Sequence, residues 1–410
     1  MVEVEILGGK QSIGGNFVRI KEGDKVIVFD QGIRFDIMDR FYTNFITPRS
    51  ISELRNLGVL PLSAWYEDVE DIYVTHLHLD HLGALANIPK KANVHLPSKE
   101  IYELMEETWK NSPTWLSLIP RKYFIEVIET EPYTTDRNSV MPLPVSHSAF
   151  PSCAYLYFGK KETILYTGDF RVEGFLTEEE FHKFNQGEPM LEYLENNHDI
   201  KVDKLIIEGT NIGSSRLPLS PEEEKKILEK IFQASKIILA TVHSLDIEYA
   251  YTLAKLSQQY NFNFYLTVNQ TSKLLEKVKG LPVEPKTIVG HVDTITSFES
   301  IDLSEIEGRS VIITTYRNVV DLIKDLTITN IPLKDVIAII SEPEPQIEES
   351  TEYAVVSNWF TLAGIQSYIM RASGHYYTFQ LKQILGTIKP KNIEIIHTER
   401  PSLFKKLIVS

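Results

Sequence analysis

Four potential metal ligands stand within six residues of the chain, in the pattern His-x-His-x-Asp-His. They are His76, His78, Asp80 and His81. Imidazole nitrogen and carboxylate oxygen are the ligands that zinc and similar divalent ions take in proteins. The preceding residues, 71–75, are mostly apolar or β-branched, which predicts a strand that ends just before the motif and releases its side chains into a loop. We therefore interpret the motif as a metal-binding loop rather than as solvated histidines.

Two later residues offer further ligand atoms, and each follows a predicted strand. His147 comes after the apolar stretch 139–145, and Asp169 follows the strand predicted over 163–166, next to a glycine. A single His or Asp at a strand end is usually a turn former or a cap. Because these two accompany a motif of four ligands, we interpret all six as candidates for one dinuclear metal site. By contrast, His95, His182 and His198 lie outside any motif, and we interpret them as structural.

Composition places the chain among ordinary globular proteins. It has 410 residues, 43% hydrophobic and 24% charged, enough for a large core and for two domains. A formal net charge of −14 argues against broad, non-specific attraction to nucleic acid. The single cysteine, Cys153, excludes an internal disulfide and fits a reducing compartment. With neither a membrane-length apolar run nor a signal peptide in the sequence, we expect a cytoplasmic protein without a membrane partner.

The elements that would position these residues change in character along the chain. Up to about residue 212, short strands are interleaved with few helices, which indicates a two-sheet α/β sandwich. Helices and strands then alternate, which predicts a mostly parallel sheet with helices on both faces. An acidic stretch with two prolines, 342–352, marks a second boundary. The predicted organisation is therefore 1–212, 213–352 and 353–410.

In order along the chain, these motifs resemble those of the metallo-β-lactamase superfamily. Asp30, at the end of a predicted strand, matches the first motif, and the resemblance implies that it is a structural hydrogen-bond anchor. The resemblance also implies an αββα sandwich and assigns the metals. One metal would be held by His76, His78 and His147. Asp80 and His81 would hold the other, and Asp169 would bridge the two.

Two distal motifs narrow the resemblance to the β-CASP nucleases, especially those like ribonuclease J. They are Ser373-Gly374-His375 and the strand-terminal His397. In that family the first histidine lies near the scissile phosphate and the second completes the second metal. An acidic motif that precedes the inserted domain corresponds to Glu208. The resemblance thus implies that 213–352 is an inserted β-CASP α/β domain and that 353–410 returns to the sandwich.

The implied function is a metal-dependent ribonuclease that cuts single-stranded RNA, as a 5′-to-3′ exonuclease, an endonuclease or both, with a hydroxide activated by two divalent ions. Zinc is the expected metal, with manganese as the alternative, since both accept N and O ligands. Asp80 would orient the hydroxide, and His375 would stabilise or protonate the leaving oxygen. Glu208 would fix a ligand imidazole. Phosphate contacts are expected from Ser244, Ser373 and the amide of Gly374.

Three alternatives stay open: a nuclease that acts on DNA, a small-molecule metallohydrolase, and a non-catalytic scaffold that binds RNA. The inserted domain and the Ser-Gly-His motif argue against a small substrate, and the complete ligand set argues against a silent scaffold. Where ribonuclease J has a Thr-Phe-x-Ser-Asn stretch, this chain keeps Ser244 but has Asp246 in place of an asparagine. Dependence on a 5′ phosphate and formation of a homodimer therefore stay open.

Overall fold

The structure is a computed structural model that describes residues 2–43, 45–83, 88, 92–112, 115–118, 125–215, 217–267, 271, 275, 286–289, 300–302, 306, 308–328, 333–342 and 351–409. The chain divides into two compact units. The first comprises Met1–Val172, Glu178–Arg216 and Gly374–Ser410, and the second comprises Glu173–Thr177 and Leu217–Ser373. Within the described ranges, no helix is long and apolar enough to cross a membrane.

The strands are, in chain order, β1 (Val2–Gly8), β2 (Phe17–Glu22), β3 (Lys25–Phe29), β4 (Asp71–Tyr73), β5 (Ala92–Leu96), β6 (Ile125–Glu129), β7 (Val140–Pro144), β8 (Cys153–Phe158), β9 (Thr163–Tyr166), β10 (Lys204–Glu208), β11 (Ile237–Thr241), β12 (Asn263–Leu266), β13 (Lys286–Val289), β14 (Ser300–Asp302), β15 (Ser310–Thr314), β16 (Val336–Ile340), β17 (Gln366–Ile369) and β18 (Asn392–Ile396). The helices are α1 (Phe35–Phe41), α2 (Ile51–Asn56), α3 (Leu79–Leu82), α4 (Lys99–Lys110), α5 (Glu178–Asn185), α6 (Met190–Asn196), α7 (Pro221–Ala234), α8 (Ile247–Tyr260), α9 (Val319–Ile328), α10 (Thr351–Ala363), α11 (Leu381–Ile388) and α12 (Pro401–Val409).

Two sheets form the body of the first unit. One has six strands in the order β1-β2-β3-β4-β5-β6, antiparallel from β1 to β3 and parallel from β3 to β6. The other has five strands in the order β18-β10-β9-β8-β7. In this second sheet β9, β10 and β18 run parallel. Because parallel strands end at the same edge of a sheet, the residues after β9, β10 and β18 come close together.

The two sheets of the first unit pack face to face through apolar and aromatic side chains. Phe29 of the six-stranded sheet stacks on Tyr155 and Tyr166 of the five-stranded sheet, with ring centroids 5.7 and 5.2 Å apart. Outside this core, α6, α11 and α12 bury apolar side chains against the five-stranded sheet, and α4 packs against β6. Successive residues of a strand point to opposite faces of the sheet. A sheet with apolar residues on both faces therefore needs a packed layer on each side. The predicted αββα sandwich is confirmed.

The second unit is built on a seven-stranded parallel sheet in the order β14-β13-β12-β15-β11-β16-β17. Its central strands β11 and β15 are buried along their whole length, as strands covered on both faces must be. Helices α9 and α10 cover one face, and α8 packs on β12 and β15. Helix α7 begins with a capping box, in which Ser220 and Glu223 satisfy each other's backbone amides and Pro221 occupies the first turn. The inserted, mostly parallel α/β fold is confirmed.

The return to the first unit begins later than the predicted residue 353. Strand β17 pairs in parallel with β16 and forms the edge of the seven-stranded sheet, so α10 and β17 belong to the second unit, and the first unit resumes at Gly374. The predicted boundary rested on the acidic, proline-containing stretch 342–352, of which 343–350 lie outside the described residues. Charge and proline content therefore do not mark the end of the second unit, which continues to Ser373.

Candidate metal centre

The His-x-His-x-Asp-His motif follows β4 and ends in the one-turn helix α3, for which His78 is the N-cap residue. The neighbouring loop after β3 holds this helix through its backbone. The amides of Gln31 and Ile33 donate to the carbonyl oxygens of His81 and Leu79 at 2.7 and 3.0 Å. Gly32 is required at this crossing, because a Cβ there would lie 1.4 Å from the carbonyl oxygen of Asp80. Backbone contacts therefore hold the loop in place without a bound metal.

The first ligand group consists of three imidazoles. The ligand atoms of His76, His78 and His147 all lie within 4.8 Å of one another, and Nε2 of His147 is 3.3 Å from Nδ1 of His78. The other nitrogen of His147, Nδ1, donates to the carbonyl oxygen of Gly374 at 2.7 Å. That bond places the proton on Nδ1 and leaves the Nε2 lone pair for the group.

Burial sets the charge of this first group. It lowers the pKa of His76 well below its ordinary value, and the neighbouring His81 and His147 lower it further. The pKa of His147 is likewise lowered by burial and by His375. Both rings are therefore neutral near pH 7, which is the form that binds a metal ion.

The second ligand group adds two carboxylates to two imidazoles. Its members are Asp80, His81, Asp169 and His397, whose ligand atoms again lie within 4.8 Å of one another. Oδ2 of Asp169 lies 3.0 Å from Nε2 of His81 and 3.6 Å from Nε2 of His397. Oδ2 of Asp80 lies 3.1 Å from the same nitrogen of His397. Side chains from three different parts of the chain thus converge on one point.

The carboxylates of this second group are held in their ionised form. Burial acts to raise the pKa of Asp169, but the imidazoles of His397, His81 and His375 hold it well below its usual value. In the same way, His81 and His397 keep the pKa of Asp80 low despite its burial. His81 shows the reverse effect: burial acts to lower its pKa, yet Asp169, Asp30 and Asp80 hold it well above the ordinary value. The group has the negative charge that a cation requires.

Each imidazole of the second group is oriented by a further hydrogen bond. Nδ1 of His81 donates to Oδ2 of Asp30 at 2.7 Å, and Asp30 also accepts from the amide of Thr75 and the hydroxyl of Tyr166. Nδ1 of His397 contacts the hydroxyl of Thr210 at 2.7 Å. Such bonds fix the orientation of each ring and direct its Nε2 toward the carboxylates of the group, where Nε2 of His81 lies 3.0 Å from Oδ2 of Asp169. The predicted anchor role of Asp30 agrees with these contacts.

A third cluster joins the predicted catalytic residues to the second group. Nδ1 of His375 lies 3.1 Å from Oε1 of Glu208 and 3.9 Å from Oδ2 of Asp169. The other oxygen of Glu208 accepts from the amide of Thr210 at 2.8 Å. Glu208 therefore contacts His375, and one of its carboxylate oxygens also lies within 4.8 Å of a ring nitrogen of His397, a predicted ligand. The pairing of Glu208 with Ile396, the residue before His397, brings these side chains together.

Two unsatisfied atoms test whether these residues fit metal ions. Among the described residues, Nε2 of His76 and Oδ1 of Asp169 are buried and have no hydrogen-bond partner. Leaving a buried polar atom unpaired costs roughly 1–3 kcal/mol. Each ligand group contains one of these atoms. A cation bound at each group would give that atom a partner. The donor set, imidazole nitrogen with carboxylate oxygen, suits zinc or manganese.

The three residues predicted to contact phosphate, Ser244, Ser373 and Gly374, lie in different surroundings. Gly374 uses its carbonyl oxygen to hold His147, and a Cβ there would lie 2.5 Å from Oγ of Ser148. Ser373 is buried. Ser244 lies in the second unit in the turn after β11, where its carbonyl oxygen accepts from Thr271. Substrate contacts by Ser244, Ser373 and Gly374 stay predictions.

Several contributing residues carried no motif of their own. Thr210 orients His397, and Tyr166 donates to Asp30. Arg171 donates to the carbonyl oxygen of His147 at 2.9 Å. The position of Thr210, two residues after a strand-terminal Glu, is the one signal in the sequence that points to such a role.

Comparison with known families agrees with this arrangement. Residues 14–206 match the family model of the metallo-β-lactamase superfamily. The chain contains a metallo-β-lactamase domain. This domain includes His76, His78, Asp80, His81, His147 and Asp169 within the matched range. Glu208, His375 and His397 lie beyond it.

Curated relatives of the metallo-β-lactamase domain are named ribonuclease J. The chain is 25% identical to ribonuclease J of Helicobacter pylori over 183 residues, which cover 42% of this chain and 23% of that protein. It is 30% identical to ribonuclease J of Pyrococcus abyssi over 104 residues, covering 25% and 22%. Ribonuclease J 1 of Streptococcus pyogenes is 25% identical over 174 residues, covering 42% and 29%. The matched stretch thus spans less than a third of the length of these relatives.

One solved structure shares the whole fold. It is a protein of unknown function from Enterococcus faecalis, 20% identical, with a TM-score of 0.72 over 98% of this chain and 95% of that one. This likeness concerns the fold, which in both chains includes the second unit as well as the metallo-β-lactamase domain.

Proposed function

We propose that this protein is a metal-dependent hydrolase that cleaves phosphodiester bonds of single-stranded RNA. The observation that carries the proposal is the convergence of two ligand groups and the His375–Glu208 pair on one centre in the first unit. The similarity to proteins named ribonuclease J supports the choice of RNA as the substrate. A phosphodiester is the substrate class for which a cationic centre beside a proton donor is suited.

In this proposal His76, His78 and His147 would hold one divalent ion. Asp80, His81 and His397 would hold the other, and Asp169 would contribute to both. When bound, such ions would supply an acidified water molecule and positive charge for a phosphoryl oxygen. The neutral imidazoles of His76 and His147 and the ionised carboxylates of Asp80 and Asp169 are already in the protonation states that binding requires. The ring of His81, whose pKa is raised, would give up a proton when it binds an ion.

The remaining residues handle protons and orientation. His375 donates a proton to the leaving oxygen, since Glu208 holds its Nδ1 at 3.1 Å and so leaves Nε2 as the donor. A carboxylate at this place also compensates the positive charge of the doubly protonated ring. Asp80, whose Oδ2 contacts His397, orients the attacking water. Loss of His375 should therefore slow the chemistry without releasing metal.

The test is metal analysis combined with cleavage of single-stranded RNA labelled at either end, with single-stranded DNA of the same sequence beside it. We expect cleavage of the RNA with zinc or manganese present. Mononucleotides released from a 5′-monophosphate end would indicate an exonuclease, and discrete internal fragments an endonuclease. Preference for the DNA would overturn the choice of substrate. No cleavage of either strand with zinc, manganese or magnesium would overturn the proposal and favour an RNA-binding scaffold.

A further inference from the structure

The first unit contains a second concave site, a cavity of about 370 Å³. Its floor is formed by buried residues of β4, β5, β7 and β8, among them Tyr73, His95, Val140 and Tyr155. Its mouth is formed by the connection between β6 and β7. None of its lining residues is one of the predicted metal ligands. The volume falls in the range of sites that bind small molecules.

A pair of hydrogen-bond acceptors faces this cavity. Nε2 of His95 lies 2.8 Å from Oδ1 of Asp71. Burial acts to raise the pKa of Asp71, but hydrogen bonds from His95, Asn93 and Asn138 hold it below its usual value. Asp71 is therefore an acceptor, and Nε2 of His95 carries the proton that it accepts. In the neutral ring this leaves Nδ1 of His95 as an acceptor.

The second acceptor is Asp136. Its Oδ2 lies 4.0 Å from Nδ1 of His95, too far for a direct hydrogen bond. Asp136 itself is fixed, because its Oδ1 accepts from the amides of Asn138 and Val140 and its Oδ2 accepts from the hydroxyl of Tyr73. Two acceptors separated in this way can both be satisfied by one nitrogen that carries at least two hydrogens.

The charge of the lining selects a cation. Glu129, Glu131 and Asp136 are acidic lining residues, whereas Arg137 is basic. Nη2 of Arg137 contacts Oδ1 of Asp71 at 3.2 Å, and its charge also acts on Asp136. Lys25, whose Nζ donates to the carbonyl oxygen of Asn138, also interacts electrostatically with Asp136. The three carboxylates still outnumber the two neighbouring cations, Arg137 and Lys25, so an ammonium or amidinium is favoured over a neutral donor.

The rest of the lining is apolar or aromatic. Ile128, Val140, Pro142 and the rings of Tyr73 and Tyr155 form the walls. The ring of Tyr73 stacks on His95 with centroids 4.2 Å apart and planes inclined by 12°, which holds the imidazole in place. Such walls favour a hydrocarbon or aromatic body behind the charged head.

We propose that this cavity binds a small organic cation, a primary ammonium or an amidinium attached to an apolar or aromatic body. Its N–H groups bridge Nδ1 of His95 and Oδ2 of Asp136, and its body lies against Tyr73 and Tyr155. The site is independent of the proposed hydrolase activity, because it shares no ligand residue with the metal centre.

The test uses benzylamine and benzamidine as probes and benzyl alcohol as a neutral probe of similar shape. Binding is followed through the imidazole ¹⁵N resonances of the full-length protein. We expect both cations to bind and to shift the Nδ1 resonance of His95, and the alcohol to bind at least about tenfold more weakly, because it lacks a charge-assisted hydrogen bond.

Two variants separate the two parts of the argument. His95→Phe keeps an aromatic ring against Tyr73 but removes the acceptor, and should weaken binding of benzylamine about tenfold or more. The double variant Glu129→Gln, Glu131→Gln changes exposed side chains only and should weaken binding of the cations but not of benzyl alcohol. Glu107→Gln, an exposed change on α4, is the matched control.

Equal affinity for benzylamine and benzyl alcohol would overturn the proposal. So would failure of both cations to shift the His95 resonance, or unchanged binding in the folded His95→Phe protein. If His95→Phe does not fold, the double glutamine variant decides the matter, since unchanged affinity for benzylamine there contradicts the charge selection.

Discussion

Buried carboxylates occur in both units, and their surroundings shift their pKa values in opposite directions. Asp169 in the first unit is 2% exposed, and the imidazoles around it hold its pKa well below the usual value. Glu224 of α7 in the second unit is 0% exposed, and burial raises its pKa to about 7 because the hydrogen bond from the amide of Ala372 offsets only part of the effect. A buried acid that neighbouring rings keep ionised is prepared for a cation, whereas a buried acid that keeps its proton serves the fold.

Replacement of Asp169 by Asn tests the first half of this comparison and should have the largest effect. Asn keeps the shape but removes the charge that the second ligand group needs, so hydrolysis should fall to background and bound metal should decrease. Activity on labelled RNA and metal content by mass spectrometry give the measurement. The exposed Asp199→Asn is the control. Undiminished cleavage by Asp169→Asn would refute the site.

Replacement of His375 by Ala should lower the rate constant roughly 10²- to 10⁴-fold, the usual contribution of a general acid. Glu208→Gln should cost less, roughly 10- to 100-fold, because the ring stays but its orientation loosens. Both variants should keep their metal, and the exposed His198→Ala should behave as the unchanged protein. Loss of metal in proportion to activity would instead make His375 a ligand.

Glu224→Gln tests the second half of the comparison through stability. The pKa of Glu224 is raised from 4.5 to about 7 in the folded state, so the stability it contributes is complete below about pH 4.5 and is lost as the pH rises through 7. At pH 8 the glutamine variant should be more stable than the unchanged protein by on the order of 3 kcal/mol. At pH 4.5 the two should be alike.

Hydrogen exchange of the amides in α7 and α8 measures this effect within the second unit. The exposed Glu222→Gln, on the same turn of α7, is the matched control and should leave the pH dependence unchanged. A Glu224→Gln protein whose α7 amides exchange as before at pH 8 would contradict the raised pKa. It would also remove the contrast with Asp169.

Thr210→Val is the smallest of the predicted effects. The hydroxyl of Thr210 contacts Nδ1 of His397 at 2.7 Å, and its loss should weaken metal binding by the second group roughly 10-fold, at the low end for such partners. Binding by the three imidazoles of the first group should not change. Thr361→Val in α10 removes a hydroxyl of the same kind in an exposed helix and serves as the control. Equal metal affinity in both variants would show that the hydroxyl has no part in the site.

Much of the candidate site follows from local sequence because its residues stand at strand ends. His76 and Asp169 lie three residues after the ends of β4 and β9, and Glu208 is the last residue of β10. Strands β9 and β10 are parallel and end at one edge of their sheet. The convergence of His375 and His397 on that edge does not follow from local pattern, and it was expected only from the family resemblance. The strand pattern indicates a two-sheet sandwich, and only its αββα layering depends on the resemblance.

What could not be predicted depends on contacts between distant parts of the chain. His95 has no motif, and its partners Asp71 and Asp136 come from β4 and from the connection before β7. The pairing of Glu208 with His375 joins residues 167 positions apart. The later start of the return at Gly374 depends on β17 pairing with β16. None of these contacts can be predicted from periodicity or composition in the sequence.

The position of β18 has a consequence for synthesis on the ribosome. His397, which follows β18, is the member of the second ligand group nearest to the C-terminal residue. A nascent chain therefore carries the three-imidazole group long before it can complete the other one. A product interrupted before β18 would lack His397 and therefore a complete second ligand group.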